Sequence, residues 1–282
     1  MGGQVVVVTD STAYLPAGVA DRLSIRVVPL QVVLGGRSGA EGSEVTPAEV
    51  AAALASWVPV STSRPTPAEF AAVYREALDG GASGVVWLHL SRELSGTWDS
   101  ARLAAAEVNA DRVRVVDSRS AAMGLGFAVL AAAEAAAADA APQDVYDAAV
   151  GTAERTTTLF YVDTLEHLRR GGRIGAAQAL LGTALSMKPI LHVREGRIVP
   201  LEKVRTVSKG IARLEALAAA AAGDQRADVA VQHLAAAERA GVLAERLRSR
   251  LPKIGQFHTS EIGAVVGAHV GPGVLGVVVV RH

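Results

Sequence analysis

Short runs of valine, isoleucine and leucine recur along the chain, separated by stretches whose apolar residues fall three and four positions apart. The first pattern fits buried strands and the second amphipathic helices. Candidate strands are Val5–Val8, Ile25–Val33, Val85–Leu90 and Val113–Val116. Leu159–Val162, Pro189–Val193, Ile198–Val204, Val229–His233, Ile254–His258 and Val274–Val280 follow. Trp98, Ala101, Leu103, Ala105 and Val108 mark the apolar face of a helix starting at Thr97. Strands alternating with helices over most of the length predict an α/β fold with a mainly parallel sheet.

Punctuation refines this pattern. Thr46-Pro47-Ala48-Glu49 and Thr66-Pro67-Ala68-Glu69 each offer a threonine cap, proline in the first turn and a glutamate able to return the capping bond. Gly35–Gly42 reads as a surface loop, and Arg194-Glu195-Gly196-Arg197 as a hairpin turn. Residues 119–156 read as two alanine-rich helices, broken near Ala141-Pro142, that bridge two domains. A boundary near Thr157 gives an N-terminal α/β domain of residues 1–157 and a C-terminal α/β domain of residues 158–282, the second with a mixed sheet. A cleft between such domains is where a small-molecule site is expected.

At 282 residues the chain is long enough for a proper core, but only 4% of it is aromatic, so alanine, valine and leucine do most of the packing. Lys plus Arg balances Asp plus Glu at 28 each, without the basic excess of a nucleic-acid binder. Cysteine is absent, which excludes disulfides, thiolate metal sites and a cysteine nucleophile. No apolar run reaches the roughly 20 residues of a membrane span, and no leader precedes the first strand, so a cytoplasmic, soluble protein is expected.

Several motifs bear on chemistry. Gly271-Pro272-Gly273-Val274-Leu275-Gly276 has G-x-G-x-x-G spacing, yet a strand follows it where a dinucleotide fingerprint needs a helix. No P-loop, nucleophile elbow or H-E-x-x-H occurs, and the seven histidines are scattered, so no cofactor or metal site is expected. Ser95-Gly96-Thr97 lies between a strand and a helix, either an ordinary cap or an anion-binding turn in which Ser95 donates and Gly96 admits a ligand to the backbone. Asp10 and Ser11 end the first strand, as an acid and a nucleophile or as turn-fixing groups. Ser61-Thr62-Ser63-Arg64-Pro65 gathers hydroxyls and a guanidinium beside a helix start. Leu168-Arg169-Arg170-Gly171-Gly172-Arg173-Ile174 pairs arginines with glycines, and Arg173 is expected to point inward. His269 precedes a Gly-Pro-Gly turn, where it could meet an anion or move a proton.

Taken in order, Thr9-Asp10-Ser11, Thr62-Ser63-Arg64-Pro65, Leu94-Ser95-Gly96-Thr97, Val116-Asp117-Ser118, Gly171-Gly172-Arg173-Ile174, Lys188-Pro189-Ile190 and His269-Val270-Gly271-Pro272-Gly273 resemble the DegV family of bacterial fatty-acid-binding proteins. The resemblance implies an N-terminal Rossmann-like parallel sheet, a C-terminal domain with a mixed sheet, and one long-chain fatty acid held between them. Such proteins present the carboxylate to a separate fatty acid kinase, which forms an acyl phosphate. Carried over by motif, Thr62 and Ser95 are hydroxyl donors to the carboxylate, with Ser63 and Gly96 beside them and His269 as a further polar partner. Arg173, Asp10 and Ser11 form a supporting network. The family commonly has glutamine at the position of Arg64, which changes the local charge.

Leu180, Leu181, Leu185, Met187 and Ile190 are candidates to line the tail pocket or to pack an ordinary core. Lys203, Arg205 and Arg170 are candidates for docking the kinase, with transient membrane contact for lipid exchange. The expected protein is a monomeric lipid carrier and not an enzyme. The competing reading is a serine acyl hydrolase or transferase using Ser95 as nucleophile and His269 as base, without an assured third member.

Overall fold

The computed structural model describes residues 3–180 and 187–282. β1 (Val5–Asp10), α1 (Val19–Arg22) and β2 (Arg26–Val28) come first, then β3 (Gln31–Leu34), β4 (Arg37–Ala40), α2 (Pro47–Ala55) and β5 (Val60–Ser63). Next are α3 (Pro67–Asp79), β6 (Gly84–His89), α4 (Thr97–Val108), β7 (Val113–Asp117), α5 (Met123–Ala137) and α6 (Pro142–Glu154). Beyond them run β8 (Thr156–Tyr161), α7 (Glu166–Arg170), β9 (Lys188–Arg194), β10 (Arg197–Val204) and α8 (Val207–Ala222). β11 (Ala227–His233), α9 (Ala237–Arg250), β12 (Ile254–Glu261), α10 (Ala264–Val270) and β13 (Leu275–Arg281) complete the order.

The chain divides into two compact units: Met1–Gln31 with Ser63–Glu154, and Val32–Thr62 with Arg155–His282. The sequence places a single boundary near Thr157. In the structure Val32–Thr62 groups with the second unit instead, because α2 packs on α10, a contact that local patterning does not reveal.

In the first unit β2-β1-β6-β7 form a parallel sheet. β6 is buried at every position, as expected of a parallel strand covered on both faces. α3 and α4 pack on the face carrying Val8, Val85 and Trp87. α5 and α6 also pack against these strands. α5 is apolar almost all round and buried accordingly. It belongs to the core of this unit.

The second unit holds a mixed sheet in the order β10-β9-β8-β13-β11-β12, whose core is closed by α8 and α9. Both capping boxes form as expected, with Thr46 and Thr66 accepting from Glu49 and Glu69. The Glu195-Gly196 turn has φ of 51° and 80°, the paired left-handed geometry of a two-residue hairpin. The predicted α/β class, with a parallel N-terminal sheet and a mixed second sheet, is what the structure has.

Four local expectations fail. The strand expected over Ile25–Val33 breaks at Pro29-Leu30, where the Leu30 amide donates to Ser11 Oγ at 3.1 Å, and the two halves enter different sheets. Gly35 and Gly36, at φ 57° and 91°, make the turn between β3 and β4 where a loop is expected. β5 likewise occupies part of the stretch expected to be a hydroxyl-rich loop. Leu103 is 54% exposed, so α4 buries Ser100, Ala101, Ala104 and Ala105 in its place.

Candidate functional site

The alternation of β5 turns successive side chains to opposite faces, so Thr62 is partly buried while Ser63 faces solvent. Thr62 Oγ1 lies 2.9 Å from His269 Nε2. His269 sits in the last turn of α10, just ahead of the Gly-Pro-Gly turn. That turn begins at Gly271, whose φ of 77° closes the helix.

The imidazole is neutral at physiological pH. Burial, with the nearby Arg173 charge adding to it, lowers its pKa to about 4. Its Nδ1 is buried and has no hydrogen-bond partner among the described residues. A buried N–H without an acceptor is rarer than an unmet lone pair, so the single ring proton belongs on Nε2. The ring is then the donor to Thr62 Oγ1, and the hydroxyl proton of Thr62 is free for an outside acceptor.

Glycines bring the ring into place. A Cβ on Gly171 would collide with His269 Nδ1, and a Cβ on Gly271 would collide with the His167 ring. Arg173 donates to the Gly171 carbonyl at 2.6 Å, so the expected inward arginine braces the backbone against which His269 rests. Burial, with the Arg170 charge second, also lowers the pKa of His167. Glu166 accepts from Arg169 at 2.7 Å and 2.8 Å and from Arg170 at 2.7 Å. These bonds bring its carboxyl down to about 2. Arg170 also lies over the exposed Trp57 ring, 4.7 Å from its centroid.

The first unit carries the other predicted residues. Gly96 is the cap position of α4, with φ −74° and no capping side chain. Ser95 Oγ accepts from the Thr97 amide at 3.3 Å and lies 2.8 Å from Thr97 Oγ1. Gly96 has an ordinary backbone angle, and a Cβ there would meet the Arg64 guanidinium, the mobile end of an exposed side chain. Arg64 therefore lies against the backbone of this turn.

Asp10 is buried and fixes its turn by accepting from the Thr12 amide at 3.0 Å. Its other oxygen accepts from the Leu90 amide at 3.2 Å and lies 3.0 Å from His89 Nδ1. Ser11 takes the Leu30 amide, as described above. Ile190 is part of the second unit's core, whereas Leu180 and Met187 are partly buried. Leu181 and Leu185 lie outside the described residues.

Sequence reasoning passes over His89, His167 and Glu41. His89 is the one strongly polar side chain in the otherwise apolar run of β6, which is the signal it offers. Glu41 and His167 sit in no recognisable motif.

The sequence profile described as "Uncharacterised protein, DegV family" matches residues 4–282. The chain belongs to the DegV family. A DegV domain-containing protein of Streptomyces coelicolor is 56% identical over 279 residues, covering 99% of both chains. A DegV family protein from Thermus thermophilus, whose structure is described as fatty acid binding, superposes with a TM-score of 0.93 at 37% identity, covering 99% of this chain and 100% of that one. DegV from Bacillus subtilis, described as a fatty acid binding protein, gives 0.89 at 34% identity with the same coverage. Among the described residues no helix is long and apolar enough to cross a membrane.

Proposed function

We propose that the protein binds one long-chain fatty acid and presents its carboxylate to a fatty acid kinase, which forms an acyl phosphate. The observation that carries this reading is the Thr62–His269 pair. A neutral imidazole donates to the threonine oxygen, and the threonine hydroxyl donates to the carboxylate. Held by a neutral donor, the carboxylate keeps the charge density it needs to attack a phosphoryl group. Ser95 is assigned as a second hydroxyl donor on its sequence motif alone. The Thermus and Bacillus relatives support the ligand class.

The energetics suit a carrier. About 15 buried methylenes supply on the order of 12 kcal/mol of gross transfer free energy at ~0.8 kcal/mol each, before ordering and association are subtracted. The tail therefore provides affinity, while the hydroxyls offset the penalty of desolvating a carboxylate. The acyl hydrolase reading has less support: Ser95 Oγ is engaged with Thr97, and His269 Nε2 with Thr62.

Native mass spectrometry followed by organic extraction tests the reading. One fatty acid per chain, converted with kinase and ATP to an acyl phosphate trapped by hydroxylamine, is the expected result. Protein that is empty and takes up no added fatty acid would overturn it.

A further inference from the structure

We propose that Glu41 is a positioning residue for His269, its carboxylate gripping one end of α10 so that the imidazole at the other end meets Thr62. The inference rests on the reading of Thr62 and His269 as the carboxylate-binding pair.

α10 is only seven residues long, too short to be stable by itself, so the elements packed on it and the groups that grip its ends set its position. Its cap residue, Gly263, has no side chain to satisfy the first amides. Glu41 supplies the acceptor from a segment far away in sequence: its Oε1 takes the Val265 amide at 2.7 Å, with both groups buried. A carboxylate at a helix N-terminus meets both an unmet N–H and the positive end of the peptide dipoles. Glu41 is only 8% exposed. A glutamate in a loop costs least in water, so its burial at this helix end calls for a partner of this kind.

Val265 and His269 are four residues apart, on one face of the helix. The segment that carries Glu41 continues through α2, which packs on α10, and ends in β5 with Thr62. One continuous stretch thus touches α10 at its first turn, along its flank and at His269. Tension or slack at Glu41 is transmitted along barely more than one helical turn to the imidazole. Removing the carboxylate frees the first turn and lets the ring drift from Thr62.

The test has two arms. In the unmodified protein, amide hydrogen exchange is followed by NMR with and without oleate, and oleate should slow exchange at Val265 at least fivefold. Oleate retained with Val265 exchange unchanged overturns the positioning role and leaves the binding reading standing, whereas failure to retain oleate overturns both.

The second arm measures oleate release in Glu41→Ala, Glu41→Gln, His269→Gln and the Glu41→Ala/His269→Gln double variant. Glu41→Ala should release oleate about tenfold faster. Glu41→Gln, which keeps an acceptor oxygen, should return the rate to within about threefold of wild type. Glu41→Ala should add nothing once His269 is glutamine. Additive effects, or a wild-type rate in folded Glu41→Ala, overturn the proposal. If circular dichroism shows that Glu41→Ala does not fold, the exchange arm decides.

Discussion

Gly171→Ala isolates the placement of His269 from everything else at the site. Gly171 has φ −73° and ψ −7°, ordinary helical values that alanine adopts without strain. The new methyl would overlap His269 Nδ1 and lie 3.1 Å from Cε1 and 3.3 Å from the His167 carbonyl oxygen. Restoring normal contact requires the ring to retreat by roughly 1 Å. Nε2 lies across the ring from Nδ1, so this push drives it into Thr62 Oγ1, and the 2.9 Å bond cannot be kept in its present geometry.

Loss of this bond costs about 1 kcal/mol, and replacing glycine returns about 0.4–1 kcal/mol by restricting the unfolded chain. Stability should therefore stay within about 1 kcal/mol of wild type, a shift of a few degrees in Tm. Binding should suffer far more. A hydrogen bond to a carboxylate contributes about 1.5–3 kcal/mol, so oleate affinity should fall roughly tenfold to a hundredfold. Competitive displacement of a fluorescent fatty acid, run beside thermal unfolding, separates the two quantities. A folded variant whose oleate affinity lies within twofold of wild type would refute the reasoning.

Other outcomes follow from the same geometry. Because the folded-state pKa of His269 is lowered to about 4 from 6.5, the unfolded chain binds more protons between those values. This residue's contribution is therefore complete above pH 6.5 and is lost as pH falls toward 4, by up to roughly 3 kcal/mol. The difference in denaturant midpoint between wild type and His269→Gln, followed from pH 7 to 4, should shrink accordingly, and a constant difference would contradict the shift. Ser95→Ala should speed lipid release and slow phosphorylation without lowering Tm by more than about 2 °C, since it removes one partly buried hydroxyl. Wild-type rates would remove Ser95 from the site. Reversing Lys203 and Arg205 to glutamate should reduce kinase turnover while leaving oleate affinity unchanged, and unchanged turnover would dismiss that face as the docking surface.

What the amino-acid pattern revealed was the locally encoded part. The Thr46 and Thr66 capping boxes and the Glu195-Gly196 hairpin depend on residues within four positions of one another, and all formed as read. The apolar run of β6 likewise announced a strand buried on both faces. Gly35-Gly36 misled, since the same pair serves a loop or a tight hairpin, and only the neighbouring strands decide which. Leu103 misled because a small-residue face of Ser100, Ala101 and Ala104 lets α4 approach its neighbours more closely than leucine would. At the candidate site, Thr62, His269 and Arg173 were nameable from their motifs. Their arrangement was not, because it depends on Gly171 yielding space and on Glu41, whose partner is 224 positions away.

The grouping of Val32–Thr62 with the C-terminal part of the chain has a consequence for how the molecule is made. Thr62 leaves the ribosome long before His269, which lies 207 positions later. During most of synthesis, β5 and the Glu41 loop have no α10 to hold. The nascent chain therefore cannot sequester the lipid we assign to it until translation has passed residue 269. Closing so long a loop slows folding more than it weakens the finished structure. Loss of the segment around 264–271, through a frameshift or a premature stop, would leave an N-terminal sheet able to form and a carrier unable to load.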